Sequence, residues 1–190
     1  IGEGGIYSSA HVAGWKRVTD AVHTKGGRIF MQIWRPGRAA HSSLNDGEQP
    51  VSSSAKPIRN DVTKTPEGAK PYEVPRPLRT EEMPRYVEMF RLAARNARQA
   101  GFDGVQIHGA HGYLIATFLS PVSNTRNDQY GGDLKGRMRF PLEVTEAVRA
   151  VYRSATDPRL LVVDKANGGK ADALNAGVNL ARYRYASPPP

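Results

Sequence analysis

Val12, Trp15, Val18 and Val22 recur at intervals of three and four, which gathers apolar side chains on one helix face, and Gly26-Gly27 follows as a stop signal. The spacing predicts a helix over about Ala10 to Lys25. Arg28 to Trp34 (R-I-F-M-Q-I-W) is short, aliphatic and aromatic, with Gln32 its only polar interior residue, and reads as a buried strand. From Arg35 to Arg79 no period of either kind is sustained, so this stretch is expected to be a long excursion. Thr80 then offers an N-cap, and Glu81 and Glu82 suit the positive end of a helix dipole. Met83, Tyr86, Val87, Phe90, Ala94 and Ala97 make the apolar stripe of a second helix to about Gln99. Gly101 ends it, and Phe102 to Ile107 is a second strand running into His108. After a loop over Ser120 to Asp133, Leu134 to Tyr152 has the period of a third helix, which Pro141 is expected to kink. Leu160 to Asp164 is a third strand candidate, followed by a glycine turn and a fourth helix from about Gly169 to Tyr183. Strands apolar on both faces, alternating with helices, predict an α/β fold: a parallel sheet covered by helices.

Length and charge narrow the class. At 190 residues the chain can bury one core but is short for a complete barrel, which takes roughly 200 to 250 residues. It begins at Ile1 and ends in Ser187-Pro188-Pro189-Pro190, so truncation is expected. Lysine and arginine number 27 against 18 acids, a net charge of +9, yet the basic residues are scattered and no aromatic platform accompanies them, so no nucleic-acid partner is expected. There are no cysteines, which excludes disulfides and thiolate metal sites within the chain. No run approaches a membrane span and Ile1 to Ala10 lacks signal-peptide shape, so a soluble, cytoplasmic protein without a membrane partner is expected. Nothing in the sequence sets the oligomeric state.

The chemistry is concentrated in Gln106 to Tyr113, Q-I-H-G-A-H-G-Y. Two imidazoles and a phenol at spacings of three and two follow directly on a strand. A carbonyl oxygen gathering negative charge needs fixed donors, which two strand-end histidines can supply, and a phenol is protonated at neutral pH and can deliver a proton. H-x-x-H is also the spacing of a zinc pair, but zinc needs a third protein ligand, and of the imidazoles only His11, His23 and His41 remain. Each residue has a structural account as well: His108 as a hydrogen-bonded strand-end histidine, Gln32 as the partner of a backbone group. Arg126, Asp128 and Tyr130 are expected to shape their loop.

Three blocks in order carry a family resemblance: H-T-K-G-G-R-I-F-M-Q-I-W-x-x-G-R, A-G-F-D-G-V-Q-I-H-G-A-H-G-Y-L and F-L-S-P-V-S-N-T-R-N-D-Q-Y-G-G-D-L. Over about residues 1 to 150 the chain closely resembles the Old Yellow Enzyme family, flavin mononucleotide (FMN) enzymes on an eight-stranded β/α barrel. The resemblance implies an ene-reductase: hydride from NADPH or NADH reaches FMN and then the activated C=C of a small α,β-unsaturated carbonyl or nitro compound. It implies that Gln32 bonds the flavin pyrimidine edge and that Trp34 lines the substrate pocket. His108 and His111 would hold the substrate oxygen beside the flavin, and Tyr113 would be the proton donor. Arg35-Pro36 stands where a histidine commonly follows the tryptophan, a departure at the pocket entrance.

The resemblance is expected to stop near Tyr152. Residues 1–152 then form a partial flavin-dependent domain, an incomplete (β/α)8 TIM barrel of roughly three βα units. The flavin-side arginine and phosphate-binding amides of later strands are missing, so impaired catalysis and weak or absent FMN binding are expected. Residues 153–190 form a strand-helix tail in which Asp157 to Tyr183, with the core N-G-G-K-A-D-A-L-N-A-G, resembles polysaccharide-synthesising nucleotide-sugar glycosyltransferases. Lys170 and Asp172 are not expected to transfer sugar, because no metal-holding aspartate pair follows them. A phosphate loop is poorly supported, since Asp164 and Ala171 stand where its glycine and its serine or threonine belong. The alternatives are a non-catalytic chimera and a nucleotide-sugar-binding remnant.

Overall fold

The structure, a computed structural model, describes residues 4–152. The expected third strand at Leu160 to Asp164, the helix from Gly169, and the glycosyltransferase-like tail as a whole lie outside the described residues. Helix α1 (Ser9–Thr24) starts from a reciprocal cap: the Ser8 hydroxyl accepts the His11 amide at 3.2 Å and His11 Nδ1 accepts the Ser8 amide at 3.3 Å. The helix gives way at Gly26, whose φ of +73° falls where glycine is favoured. Strand β1 (Phe30–Ile33) follows, and after a long excursion α2 (Met83–Gln99) leads to β6 (Gly104–Ile107). β1 and β6 pair in parallel with Phe30 opposite Gly104, Gln32 opposite Gln106 and Ile33 opposite Ile107. The ladder runs on at both ends, through the Asp103 amide to Ile29 O and the His108 amide to Ile33 O, each 3.0 Å.

One face of this two-stranded sheet carries the core. Met31 and Ile33 point into a cluster with Met83, Phe90, Ala94 and Ala97 of α2. Onto that layer pack α3 (Leu114–Leu119) through Phe118 and α4 (Leu134–Tyr152) through Phe140 and Val144. Phe118 and Phe140 are fully buried, with ring centroids 4.7 Å apart. Each such ring contributes several kcal/mol of burial.

The other face corrects an expectation. β1 alternates exposed and buried, with Phe30 64 % exposed and Gln32 exposed, so among the described residues helices cover only one side of the sheet. The fold is α/β with barrel-like parallel pairing, and the described residues do not close a barrel. Three local expectations also change. Val18 is 42 % exposed and Thr19 takes the buried position, because its hydroxyl donates to Ala100 O at 2.5 Å at the end of α2. Thr80 does not cap α2: it opens a 3-10 turn, Thr80–Glu82, and gives its hydroxyl to Asp128. Pro141 lies inside a helix that continues through it.

Two stretches hold elements that were not foreseen. The excursion holds 3-10 turns at Gly37–Ala39 and Ser42–Leu44, a parallel pair of β2 (Val51–Ser52) with β5 (Arg76–Pro77), and a hairpin of β3 (Val62–Thr65) with β4 (Gly68–Pro71). The other is α3, whose six residues are too few to show a period. No helix among the described residues is long and apolar enough to cross a membrane.

Asp103 ties the lower end of β6 to α1. Its carboxylate meets His23 Nε2 at 2.9 Å, Arg28 at 2.6 Å and the Ile29 amide at 2.8 Å. Burial pushes this carboxyl up, but His23, the Ile29 amide and Arg28 together outweigh it and hold it at about 2. A depressed folded pKa gives stability that is present above the unfolded value of about 4 and lost as pH falls toward 2. The thermal midpoint is therefore expected to fall over that window, and Asp103→Asn should flatten the fall. An unchanged acid profile in the variant would show that the ion cluster contributes nothing.

Candidate active site

β6 delivers His108 at its carboxyl end, and the next five residues turn the chain back. His111 and Gly112 are both left-handed, with φ of +55° and +70°. For histidine that conformation costs roughly 1 kcal/mol or more, and such strain concentrates at functional sites. The turn brings His111 Nδ1 to 3.1 Å from His108 Nε2. Tyr113 then precedes α3, its ring centroid 5.2 Å from that of His108, 6.4 Å from that of His111 and 4.4 Å from that of Trp34. Trp34 to His108 is 6.4 Å. Four rings predicted as site residues thus converge at the upper end of two paired strands.

Trp34 and His108 each stand two residues beyond Gln32 and Gln106, so strand alternation puts all four on the uncovered face. Gln32 Nε2 donates to Gln106 Oε1 at 2.8 Å. That leaves the Gln32 carbonyl as a free acceptor and the Gln106 amide as a free donor. Turning both amides over would still leave one of each. The pair is the complement of a flat imide edge. A flavin pyrimidine edge carries this N–H and C=O pattern, so the residues present fit FMN. Gln106 was missed in the sequence, although its parity with His108 on the strand would have found it.

The electrostatics favour a neutral imidazole. Burial lowers the pKa of His108 and the neighbouring His111 lowers it further, so His108 is uncharged at neutral pH. Among the described residues no third histidine, cysteine or carboxylate joins the pair as a metal set would require.

Arg38 was also missed. Its Nη1 donates to Lys56 O at 3.2 Å, its Nε is buried without a partner, and burial lowers its pKa. Its guanidinium lies beside Gly112, next to the turn carrying His111. Arg35 turns away from the rings and lies over Tyr86, 5.3 Å from that ring's centroid. Gly37 makes this arrangement possible: its φ is +60°, and a Cβ there would come 2.9 Å from the Leu114 backbone just after Tyr113. Gly37→Ala should destabilise by about 2 kcal/mol or more, from positive-φ strain plus a backbone clash. Urea unfolding checks this, and a loss under about half a kcal/mol would show that the loop yields freely.

The loop of residues 120–133 takes the shaping role expected of it. Arg126 donates to Ser53 O at 3.2 Å and to Leu78 O, and pairs with Asp128. Asn124 bridges Phe118 O and Tyr130 O, each at 2.8 Å, and Tyr130 reaches Glu143 at 3.1 Å.

Comparison with known proteins places the chain in a family. Residues 2–173 match the model of the family described as NADH:flavin oxidoreductase / NADH oxidase. The match runs past Tyr152, where the resemblance was expected to stop. The putative 12-oxophytodienoate reductase-like protein 2A of Arabidopsis thaliana is 52 % identical over 144 residues, covering 76 % of this chain and 52 % of the relative. The 12-oxophytodienoate reductase 1 of Oryza sativa subsp. japonica is 47 % identical over 147 residues, covering 77 % and 37 %. Among solved structures, morphinone reductase in complex with tetrahydroNAD superposes with a TM-score of 0.74 at 45 % identity over 78 % of this chain and 42 % of that one. The Old Yellow Enzyme homologue from Zymomonas mobilis gives 0.74 at 47 % identity over 77 % and 41 %. The chain thus spans about half or less of the length of the relatives it matches.

Proposed function

Since the chain belongs to the NADH:flavin oxidoreductase / NADH oxidase family, whose members use FMN and NAD(P)H, we propose that it carries the substrate-activating part of an ene-reductase site. The observation that supports this most is the convergence of Trp34, His108, His111 and Tyr113 above the Gln32–Gln106 amide pair. Gln32 and Gln106 would hold the pyrimidine edge of FMN. FMN bound there would supply the hydride chemistry that links NADH or NADPH to an activated alkene.

The protein's own groups do the rest. In the 3.1 Å contact between the two imidazoles one N–H is spent on the partner ring. An unsaturated carbonyl or nitro oxygen seated beside this contact would accept from both rings once the contact opens and each facing nitrogen carries its proton. Those two bonds strengthen as the oxygen gains charge, worth a few kcal/mol of barrier per donor. The Tyr113 phenol, held against Trp34, gives its proton to the α-carbon, so hydride and proton together saturate the C=C bond. Trp34 supplies an apolar wall.

On this reading the described residues are part of a flavin-dependent barrel domain, and the family match continues past Tyr152 to residue 173. Saturable binding of uridine diphosphate would favour the nucleotide-sugar reading of residues 153–190, and its absence would end it. FMN titration tests the main proposal. Saturable quenching of FMN fluorescence is expected, weakened about tenfold by Gln32→Leu, which removes one of the two edge bonds. Binding indifferent to that change would move the cofactor off this face.

A further inference from the structure

A second cavity, of about 360 Å³, lies between the amino-terminal end of α2 and the loop that follows Trp34. Its size is at the low end of small-molecule sites. None of Trp34, His108, His111 or Tyr113 lines it. Pro36, Val51, Tyr86 and Met89 give it an apolar lining, with Arg35 and Arg85 among its charged residues. Its carboxylates are Glu48 and Glu82, and Glu82 is occupied by the paired contacts of Arg76 at 2.7 and 3.0 Å. Two guanidiniums therefore face one carboxylate. Among the described residues neither Arg35 nor Arg85 forms an ion pair.

The Arg35 guanidinium lies over the Tyr86 ring, 5.3 Å from its centroid, a contact that leaves its N–H donors for another partner. An arginine fork beside an apolar wall recognises a planar anion joined to an apolar body. We infer that this cavity is a second binding site, for a small organic carboxylate of that shape. The site is separate from the ring cluster but shares a wall with it: Arg35 O accepts the Leu114 amide at 3.1 Å, immediately after Tyr113.

Calorimetric titration of the full chain with phenylacetate, phenylacetamide and inorganic phosphate tests this without any flavin. Phenylacetate is expected to bind saturably and at least about tenfold more tightly than the neutral amide, which lacks the charge, or phosphate, which lacks the apolar body. Arg85→Met alters an exposed side chain and should weaken phenylacetate binding about tenfold, as should Arg35→Met. Arg17→Met, an equal loss of charge on α1, and His111→Ala, in the ring cluster, should both leave it unchanged. Equal affinity for acid and amide, indifference to Arg85→Met and Arg35→Met, or loss of binding in His111→Ala would each overturn the inference. Failure of FMN binding would leave this result untouched, so the two proposals fail separately.

Discussion

Tyr113→Phe is expected to slow whatever cyclohexenone reduction the proposed site supports about 100-fold or more, the usual worth of a positioned general acid, while the nicotinamide half-reaction stays within about twofold. The substitution removes one oxygen and keeps the ring, so the 4.4 Å contact with Trp34 and the 5.2 Å contact with His108 survive and the site keeps its shape. In the proposed mechanism only the α-carbon takes the phenol's proton while His108 and His111 hold the substrate oxygen, so KM should move little and kcat for the alkene should carry the loss. Stopped-flow measurement of the two half-reactions separates these outcomes. Equal slowing of both would remove Tyr113 from its role as proton donor.

The second large effect is on stability. Arg126→Ala should destabilise the chain by about 3 kcal/mol, the lower end of the range for breaking a buried ion pair. The Arg126 side chain is 9 % exposed and gathers three elements: Ser53 O, Leu78 O and Asp128, with the Phe118 ring 5.8 Å from its guanidinium. Removing it strands two buried carbonyls and a carboxylate. The lower end applies because Asp128 is 27 % exposed and water screens part of the pair. Arg126 holds the Asp128 carboxyl at about 2 against the upward push of burial, with Thr80 and the Tyr130 amide assisting. The penalty of the substitution should therefore shrink as pH falls from about 4 toward 2 and Asp128 takes up its proton. Arg126→Lys should recover little, because one ammonium cannot reach all three partners of the fork. A urea-measured loss below about 1 kcal/mol would mean that water already satisfies these groups.

Much of the fold was legible along the chain. The stripe from Met83 to Ala97 predicted α2, and the period from Leu134 predicted α4, because a helix buries one face whatever its partner. The octapeptide at 106–113 singled out His108, His111 and Tyr113, and the structure places their rings together. Thr80 misled: a threonine before acidic residues is a local capping signal, but Asp128, 48 positions away, claimed its hydroxyl. Val18 and Thr19 changed places for a similar reason, a hydrogen bond to Ala100 spanning 81 positions.

Residue order alone determined the three long helices, the two principal strands and the identities of the candidate site residues, since periodicity and spacing act over a few residues. Tertiary structure decided which sheet face stays open, that Gln106 joins Gln32, that Arg38 lies beside Gly112 of the histidine turn and that Arg35 lines a different cavity. Each depends on parallel pairing of strands some 74 residues apart. That pairing sets which side chains become neighbours, and no local pattern encodes it, because the free energy that selects the register is released only when both strands dock on the same helix layer.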